Sequence, residues 1–301
     1  MRCARPPAAE GRLPDRRSSA EVDRGQLRRG HFGLARTLLR PRRWRHLARV
    51  SSAVAEQRSF LWREANRRLV TARYHIRGSR LVVHVRHDTP DVAGLLEVFV
   101  LRNYELPEPI RSALKNRVRS RMLRVADLGG NIGLFGLRVL REFPTAEIIS
   151  FEPDPGNARI LALTAAANER LSRWQLVTAC AGAHPGEVPF LTGQYLESKI
   201  LPDNGAGTRP IPKIDVFPHL ENVDWAKIDI EGGEWELLSD PRFAKLEVPV
   251  LWLEYHPNLC PVPSPRELAT EKLIQAGYRI EPFDERSPGI GELWAWRPEA
   301  T

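Results

Sequence analysis

Cysteine is scarce: Cys3, Cys180 and Cys260 are the only three in 301 residues, an odd number set far apart. That excludes a disulfide framework and any paired-thiolate metal spacing, and it makes a reducing, cytoplasmic location the expectation. No run approaches the roughly 18–20 consecutive apolar residues that cross a bilayer, so no transmembrane segment is expected. No apolar core of a secretory signal is present, and Glu10, Asp15, Glu21 and Asp23 are too many acids for a transit peptide. The G-x-G-x-x-G fingerprint of dinucleotide sites is missing. His184 and His219 have no paired ligand spacing, and no metal site is expected.

What is present suits a folded chain. With 42% apolar, 27% charged and 8% aromatic residues, it can fill the core of one large or two small domains. The net charge of +8 is unevenly spread: residues 1–124 hold 29 Lys+Arg against 11 Asp+Glu, and residues 125–301 hold 16 against 26. The front is basic and the body acidic. Residues 1–48, rich in Arg and Pro with little hydrophobic period, read as a basic, mostly disordered arm; a charge run of this kind names no partner.

Residues 49–121 read as a small cap. An amphipathic helix is expected over 51–70, a hairpin from the alternating residues 73–76 and 80–86 around Gly78-Ser79, and helices over 92–101 and 109–120. From Met122 the pattern becomes strand, glycine-rich turn, helix, repeated. Strands are predicted at 123–127, 147–151, 175–180, 225–230 and 248–255, and helices near 134–141, 156–168, 234–238 and 266–275. Apolar runs such as Ile148-Ile149-Ser150-Phe151 suit strands buried on both faces, so residues 122–301 are read as a doubly wound, Rossmann-like α/β domain. Segments 278–283 and 292–296 are too close for a helical crossover and should close the sheet as an antiparallel pair. Residues 192–212, with Tyr195, Lys199, Asn204, Gly205 and Gly207, are a candidate lid.

Asp127-Leu128-Gly129-Gly130-Asn131-Ile132-Gly133 ends the first of these strands and opens a helix, where open α/β sheets bind nucleotide-like ligands. Asn131 stands where glycine is usual, and asparagine tolerates a positive φ. Asp127 suits an ammonium group, or a water bound to one, and would repel a pyrophosphate. Glu152 ends the next strand and is placed to accept hydrogen bonds from ribose hydroxyls. A ribose acid without a phosphate cradle favours S-adenosylmethionine over a nicotinamide dinucleotide. The candidate cofactor residues are Asp127, Gly129, Asn131, Gly133 and Glu152.

Charges inside a central strand are costly unless paired. In Trp225-Ala226-Lys227-Ile228-Asp229-Ile230-Glu231-Gly232-Gly233-Glu234, the alternating Lys227, Asp229 and Glu231 share a face. Either Lys227 and Asp229 form an internal pair, with the following acids favouring a helix N-terminus, or Asp229 stands beside the reacting group with Glu231 next to it. His256, at the next strand end, is either a second candidate base or a satisfied turn residue. Asp229, His256 and Glu231 are the catalytic candidates.

The strings V-A-D-L-G-G-N-I-G, F-E-P-D-P-G-N, V-T-A-C-A-G with G-E-V-P-F, A-K-I-D-I-E-G-G-E-W-E-L-L and W-L-E-Y-H-P resemble the FkbM family of S-adenosylmethionine-dependent methyltransferases, over residues 122–284. The resemblance implies a seven-stranded sheet with its last strand antiparallel, S-adenosylmethionine as cofactor, and O-methylation of a hydroxyl on a sugar or secondary metabolite. It adds Tyr104 as a cofactor contact. Gly130 and Gly233 depart from the family pattern, where alanine is common, without removing a functional group. A nucleic-acid methyltransferase using the basic arm is the alternative, disfavoured because the base-methylating N/D-P-P-Y/F string and an aromatic ladder are absent. A non-catalytic binding module on the same fold stays open, as does the oligomeric state.

Overall fold

The computed structural model describes residues 41–66, 70–119, 121–169, 172–191, 193, 199–200, 208–287 and 289–297. The chain divides into two units, residues 1–46 and 47–301, and every described element lies in the second apart from the opening of the first helix. That helix, α1 (Pro41–Ser51), corrects part of the expected disordered arm. Leu47 and Val50 lie three positions apart and are buried, which gives the helix a face to pack. Residues 1–40 of the arm lie outside the described residues.

The single helix expected over 51–70 is also corrected. Val54 forms an antiparallel bridge with Ile76, Ala55 N–H donates to His75 O and Arg77 N–H to Ala53 O, so hairpin bonds take this backbone out of the helix. Helix α2 (Gln57–Ala65) begins afterwards, followed by the hairpin β1 (Thr71–His75) and β2 (Val82–Arg86). Next come α3 (Asp91–Leu96), a π-helical turn over Glu97–Leu101 in place of the expected last α-turn, and α4 (Glu108–Arg117).

The α/β domain comprises β3 (Arg124–Leu128), α5 (Leu134–Glu142), β4 (Glu147–Phe151), α6 (Pro155–Ala167), β5 (Trp174–Val177), β6 (Cys180–Gly182), β7 (Gly186–Leu191), β8 (Lys199–Ile200), β9 (Thr208–Asp215), β10 (Trp225–Ile228), α7 (Glu234–Ser239), β11 (Val250–Tyr255), α8 (Pro265–Gln275), β12 (Arg279–Ser287) and β13 (Ile290–Trp296). Seven strands form one sheet in the order β12-β13-β11-β10-β3-β4-β5. Strands β11, β10, β3, β4 and β5 run parallel, while β13 runs antiparallel to both β11 and β12. This is the expected Rossmann-like sheet with an antiparallel closing strand. The chain winds outward from β3 in one direction and from β10 in the other, so the cleft at their carboxyl ends is the topological switch point where such folds place ligands.

Both faces are buried, as the apolar runs implied. On β10 and β11, Trp225 and Trp252 pack with Phe135, Trp294 and the cap, while Ala226, Ile228, Leu251 and Leu253 pack with Trp235, Leu237 and Leu273 on the other face. The strand expected at 175–180 is split: Ala179 N–H turns back to Val177 O, and β6 leaves the main sheet for a four-stranded one ordered β6-β9-β7-β8. The candidate lid therefore contains strand residues at 199–200 and 208–212; Tyr195, Asn204, Gly205 and Gly207 lie outside the described residues. No described helix is long and apolar enough to cross a membrane.

Candidate active site

The carboxyl ends of β3, β4, β10 and β11, together with the turn Glu97–Leu101, enclose a cavity of about 290 Å³. One wall is made by backbone. Gly129 has φ +88°, and a Cβ there would stand 1.8 Å from the Asp229 carbonyl oxygen, so only glycine lets the β3 loop pass the end of β10. Gly129 and Gly130 N–H both donate to Phe151 O. Asn131 adopts φ +47° and its N–H donates to Glu152 Oε2 at 2.7 Å; its own Oδ1 is buried without a hydrogen-bond partner.

Glu152 lies on the same wall. Its Oε1 accepts from Asp154 N–H at 2.8 Å, and Asp154 in turn caps α6 by accepting from Gly156 and Asn157 N–H, with Pro155 in the first turn. The F-E-P-D-P-G-N string is thus a helix start that also aims an acid into the cavity. Burial raises the Glu152 carboxyl to about 7 although the Asp154 and Asn131 amides pull it down. Asn157 lies 3.4 Å from Glu152 Oε1 and accepts at 2.6 Å from Arg86, which forks onto Asp91, so the cap is tied to this acid. Beside it, burial pushes the Cys180 thiol up to about 12, leaving it protonated.

The facing wall is made by charged side chains. Lys227 Nζ is buried, donating to Gly129 O at 2.7 Å and standing 3.0 Å from Asp229 and 3.6 Å from Asp127. Burial alone would lower the ammonium pKa, but Asp229 and Asp127 outweigh it and raise it. Both sequence readings of this strand therefore coexist: Lys227 and Asp229 are an ion pair, and Asp229 also lines the cavity. Glu231, at φ +54°, and Glu254 line it too.

His256 stands behind the cavity wall formed by Glu231 and Glu254. Its Nδ1 is 3.1 Å from Glu234 Oε1, and its Nε2 is 3.6 Å from both Glu231 and Glu254. Burial lowers its pKa, but Glu234 and Glu231 outweigh burial and raise it to about 9. The imidazole is a cation at neutral pH. Atoms of Asp229, Glu231 and His256 come within 4.8 Å of one another, a spacing a metal ion could bridge by displacing the imidazole proton.

Of the sequence candidates, Gly129, Asn131, Glu152, Tyr104, Asp229 and Glu231 meet on one cavity. Tyr104 stands edge-on to Phe135 and Trp252, with ring centroids 5.1 and 4.6 Å away. Asp127 and Gly133 do not reach the cavity wall. Asp127 is fully buried behind the loop, accepting from Ser150 Oγ at 3.0 Å, and burial raises its carboxyl to about 6 despite Lys227. Gly133 opens α5 at φ +88°, where a Cβ would meet the Trp174 ring at 3.2 Å. Glu97, Asn157 and Glu254 also line the cavity and were not among the candidates. Glu254 closes a predicted strand, which was a usable signal; Glu97 gave none.

A seven-stranded sheet of this order, with a glycine loop and a buried acid at its switch point, is the Rossmann-like sheet that the sequence resemblance implied. The chain belongs to the FkbM methyltransferase family: the Methyltransferase FkbM domain matches residues 127–280. It is similar to methyltransferase sdnD of Sordaria araneosa, 28% identical over an alignment that covers 38% of this chain and 59% of that protein, so it spans less than two thirds of that relative. Solved structures with a similar course include an O-methyltransferase family protein from Burkholderia thailandensis, at 14% identity and TM-score 0.35 over 71% of this chain and 62% of that one. Another is M. jannaschii TYW2 in complex with AdoMet, at 9% identity and TM-score 0.35 over 77% and 88%.

Proposed function

We propose that the protein uses S-adenosylmethionine to methylate a hydroxyl oxygen on a small acceptor, a sugar or a secondary metabolite. The observation that carries this reading is one cavity with Gly129, Asn131 and Glu152 on one wall and Asp229 on the other. The residues fit the cofactor: the Gly129 turn leaves room that a Cβ would fill, Asn131 Oδ1 is a buried acceptor without a partner, and Glu152 offers acceptor positions beyond its two backbone bonds. Gly129, Asn131, Glu152 and Tyr104 would hold it, with Asp127 and Gly133 supporting the loop from behind.

When bound, S-adenosylmethionine supplies a methyl group already activated by its sulfonium. The chain's part is alignment and proton handling. Asp229 accepts the proton of the acceptor hydroxyl at a carboxylate oxygen, and Lys227 holds that carboxylate in place from 3.0 Å. A positioned base of this kind contributes roughly 10²–10⁴-fold. Glu231 and Glu254, anchored from behind by the His256 cation, offer acceptor groups to further hydroxyls. Five carboxylates, from Glu97, Glu152, Asp229, Glu231 and Glu254, and one lysine line the cavity, which suits a hydroxylated small molecule and repels a phosphodiester backbone.

The test is incubation with S-adenosylmethionine and a panel of hydroxylated sugars, secondary metabolites and an RNA oligonucleotide, with products identified by mass spectrometry and NMR. A new O-methyl group on a small molecule is expected. A methyl group on nitrogen, on carbon or on the RNA would overturn the reading.

A further inference from the structure

The turn Glu97–Leu101 separates two cavities. Glu97 lines the methyl-transfer cavity, Phe99 and Arg102 line a second one of about 400 Å³, and Val98 lines both. The second cavity holds five cations, Arg102, Arg111, Lys115, Arg138 and Arg141, against two carboxylates, Glu105 and Glu142. Its ion pairs are long. Glu142 is 3.3 Å from Arg138, 3.4 Å from Arg111 and 4.0 Å from Lys115. Glu105 is 3.3 Å from Arg102 and 3.6 Å from Arg111, which also reaches Glu108 at 3.7 Å. Charge-assisted bonds close to about 2.7–2.9 Å when nothing holds them apart, and Arg86 with Asp91 does so here at 2.8 Å. Arg111 Nε and Glu142 Oε1 are buried and face each other across 3.4 Å without closing to a hydrogen bond, and the exposed Arg141 has no ion-pair carboxylate among the described residues.

These cations are splayed around a space instead of closing on the acids between them. Burial pulls Arg138 below the ordinary guanidinium range although Glu142 and Glu105 oppose it, and Arg111 adds to the pull, so an entering anion would be welcome. The π-helical turn ends in Arg102 at φ +64°, a left-handed conformation that favours glycine, which keeps an arginine at the rim where glycine would be less strained. Guanidinium forks match phosphate oxygens two at a time.

We propose that this second cavity is a binding site for a small ligand carrying two or more phosphate groups, separate from the methyl-transfer cavity and sharing the wall at Val98. Three surplus positive charges call for a multiply charged anion, and a space of about 400 Å³ suits a small molecule better than a nucleic-acid strand. This site does not depend on the methyltransferase reading, because its readout is binding alone.

The experiment is calorimetric titration of the full chain with inorganic pyrophosphate, and with inorganic phosphate and an RNA duplex in parallel. Arg141→Gln breaks no ion pair and so tests the site without unfolding it; Arg111→Gln/Arg141→Gln removes two donors. Arg58→Gln/Arg159→Gln removes the same charge from exposed positions elsewhere. Pyrophosphate is expected to bind more tightly than phosphate, with affinity falling at least about tenfold in the double variant and unchanged in the control pair. Absence of pyrophosphate binding, an equal loss in the control pair, or binding of the duplex alone would overturn the proposal.

Discussion

The two walls of the cavity at the switch point are built from different materials. The β3–β4 wall is backbone: left-handed turns at Gly129 and Asn131, amides aimed at Phe151 O and Glu152, and a capped helix start. The β10–β11 wall is side-chain charge: Lys227, Asp229, Glu231, Glu254 and, behind them, His256 and Glu234. Backbone geometry tolerates few residue types and so suits an invariant ligand. A wall of charged side chains can be re-specified one substitution at a time, which suits an acceptor. Lys227 joins the two by holding Gly129 O and the Asp229 carboxylate at once.

The largest effect should come from Gly129→Ala. Its Cβ would fall 1.8 Å from a main-chain oxygen, so either the loop or the end of β10 must move. A loss of at least about 4 kcal/mol in stability, or of all cofactor affinity, is expected from urea unfolding and S-adenosylhomocysteine titration. Wild-type behaviour would mean that the two walls do not meet as described.

Asp229→Asn should separate the walls functionally. Turnover is expected to fall roughly 10²–10⁴-fold, while S-adenosylhomocysteine affinity moves by no more than about threefold, well under the tenfold that 1.4 kcal/mol represents. Equal losses in both would merge the walls into one binding unit.

A smaller effect concerns pH. Glu152 is raised in the folded chain from 4.5 to about 7, so the folded state holds the proton more tightly than the unfolded state. Its stabilising contribution is complete below about pH 4.5 and is lost as pH rises through about 7. Between pH 5 and 8 the ligand-free protein should lose on the order of 3 kcal/mol from this group, and Glu152→Gln should flatten that slope in urea unfolding. An unchanged slope would mean that Glu152 is not the buried acid described.

The backbone wall was readable in the sequence because φ +88° at Gly129 and a helix N-cap at Asp154 demand particular residue types at fixed offsets. Gly133 is legible for the same reason: its glycine answers to a helix start and to Trp174, and spacing alone does not separate that need from ligand contact. On the charged wall, Asp229 stood out because a carboxylate at a central strand end needs a reason, and Glu231 followed. His256 was placed correctly at its strand end, but its protonation depends on Glu234 and Glu231, which only the fold brings to it. The strand-end position points Asp127 at the ligand, while its burial comes from Ser150 and the loop packing over it, which position alone does not show. Glu97 was invisible, since a π-helical turn rotates it into the cavity and no periodicity announces such a turn.

The most direct measurement is calorimetric titration of the protein with S-adenosylhomocysteine, beside NAD and beside the Glu152→Ala variant. Binding of S-adenosylhomocysteine by the wild type, weakened at least about tenfold in the variant, with no heat from NAD, is the result expected of a backbone-built methyl-donor wall. Binding of NAD in preference, or equal affinity of the folded variant for S-adenosylhomocysteine, would contradict it.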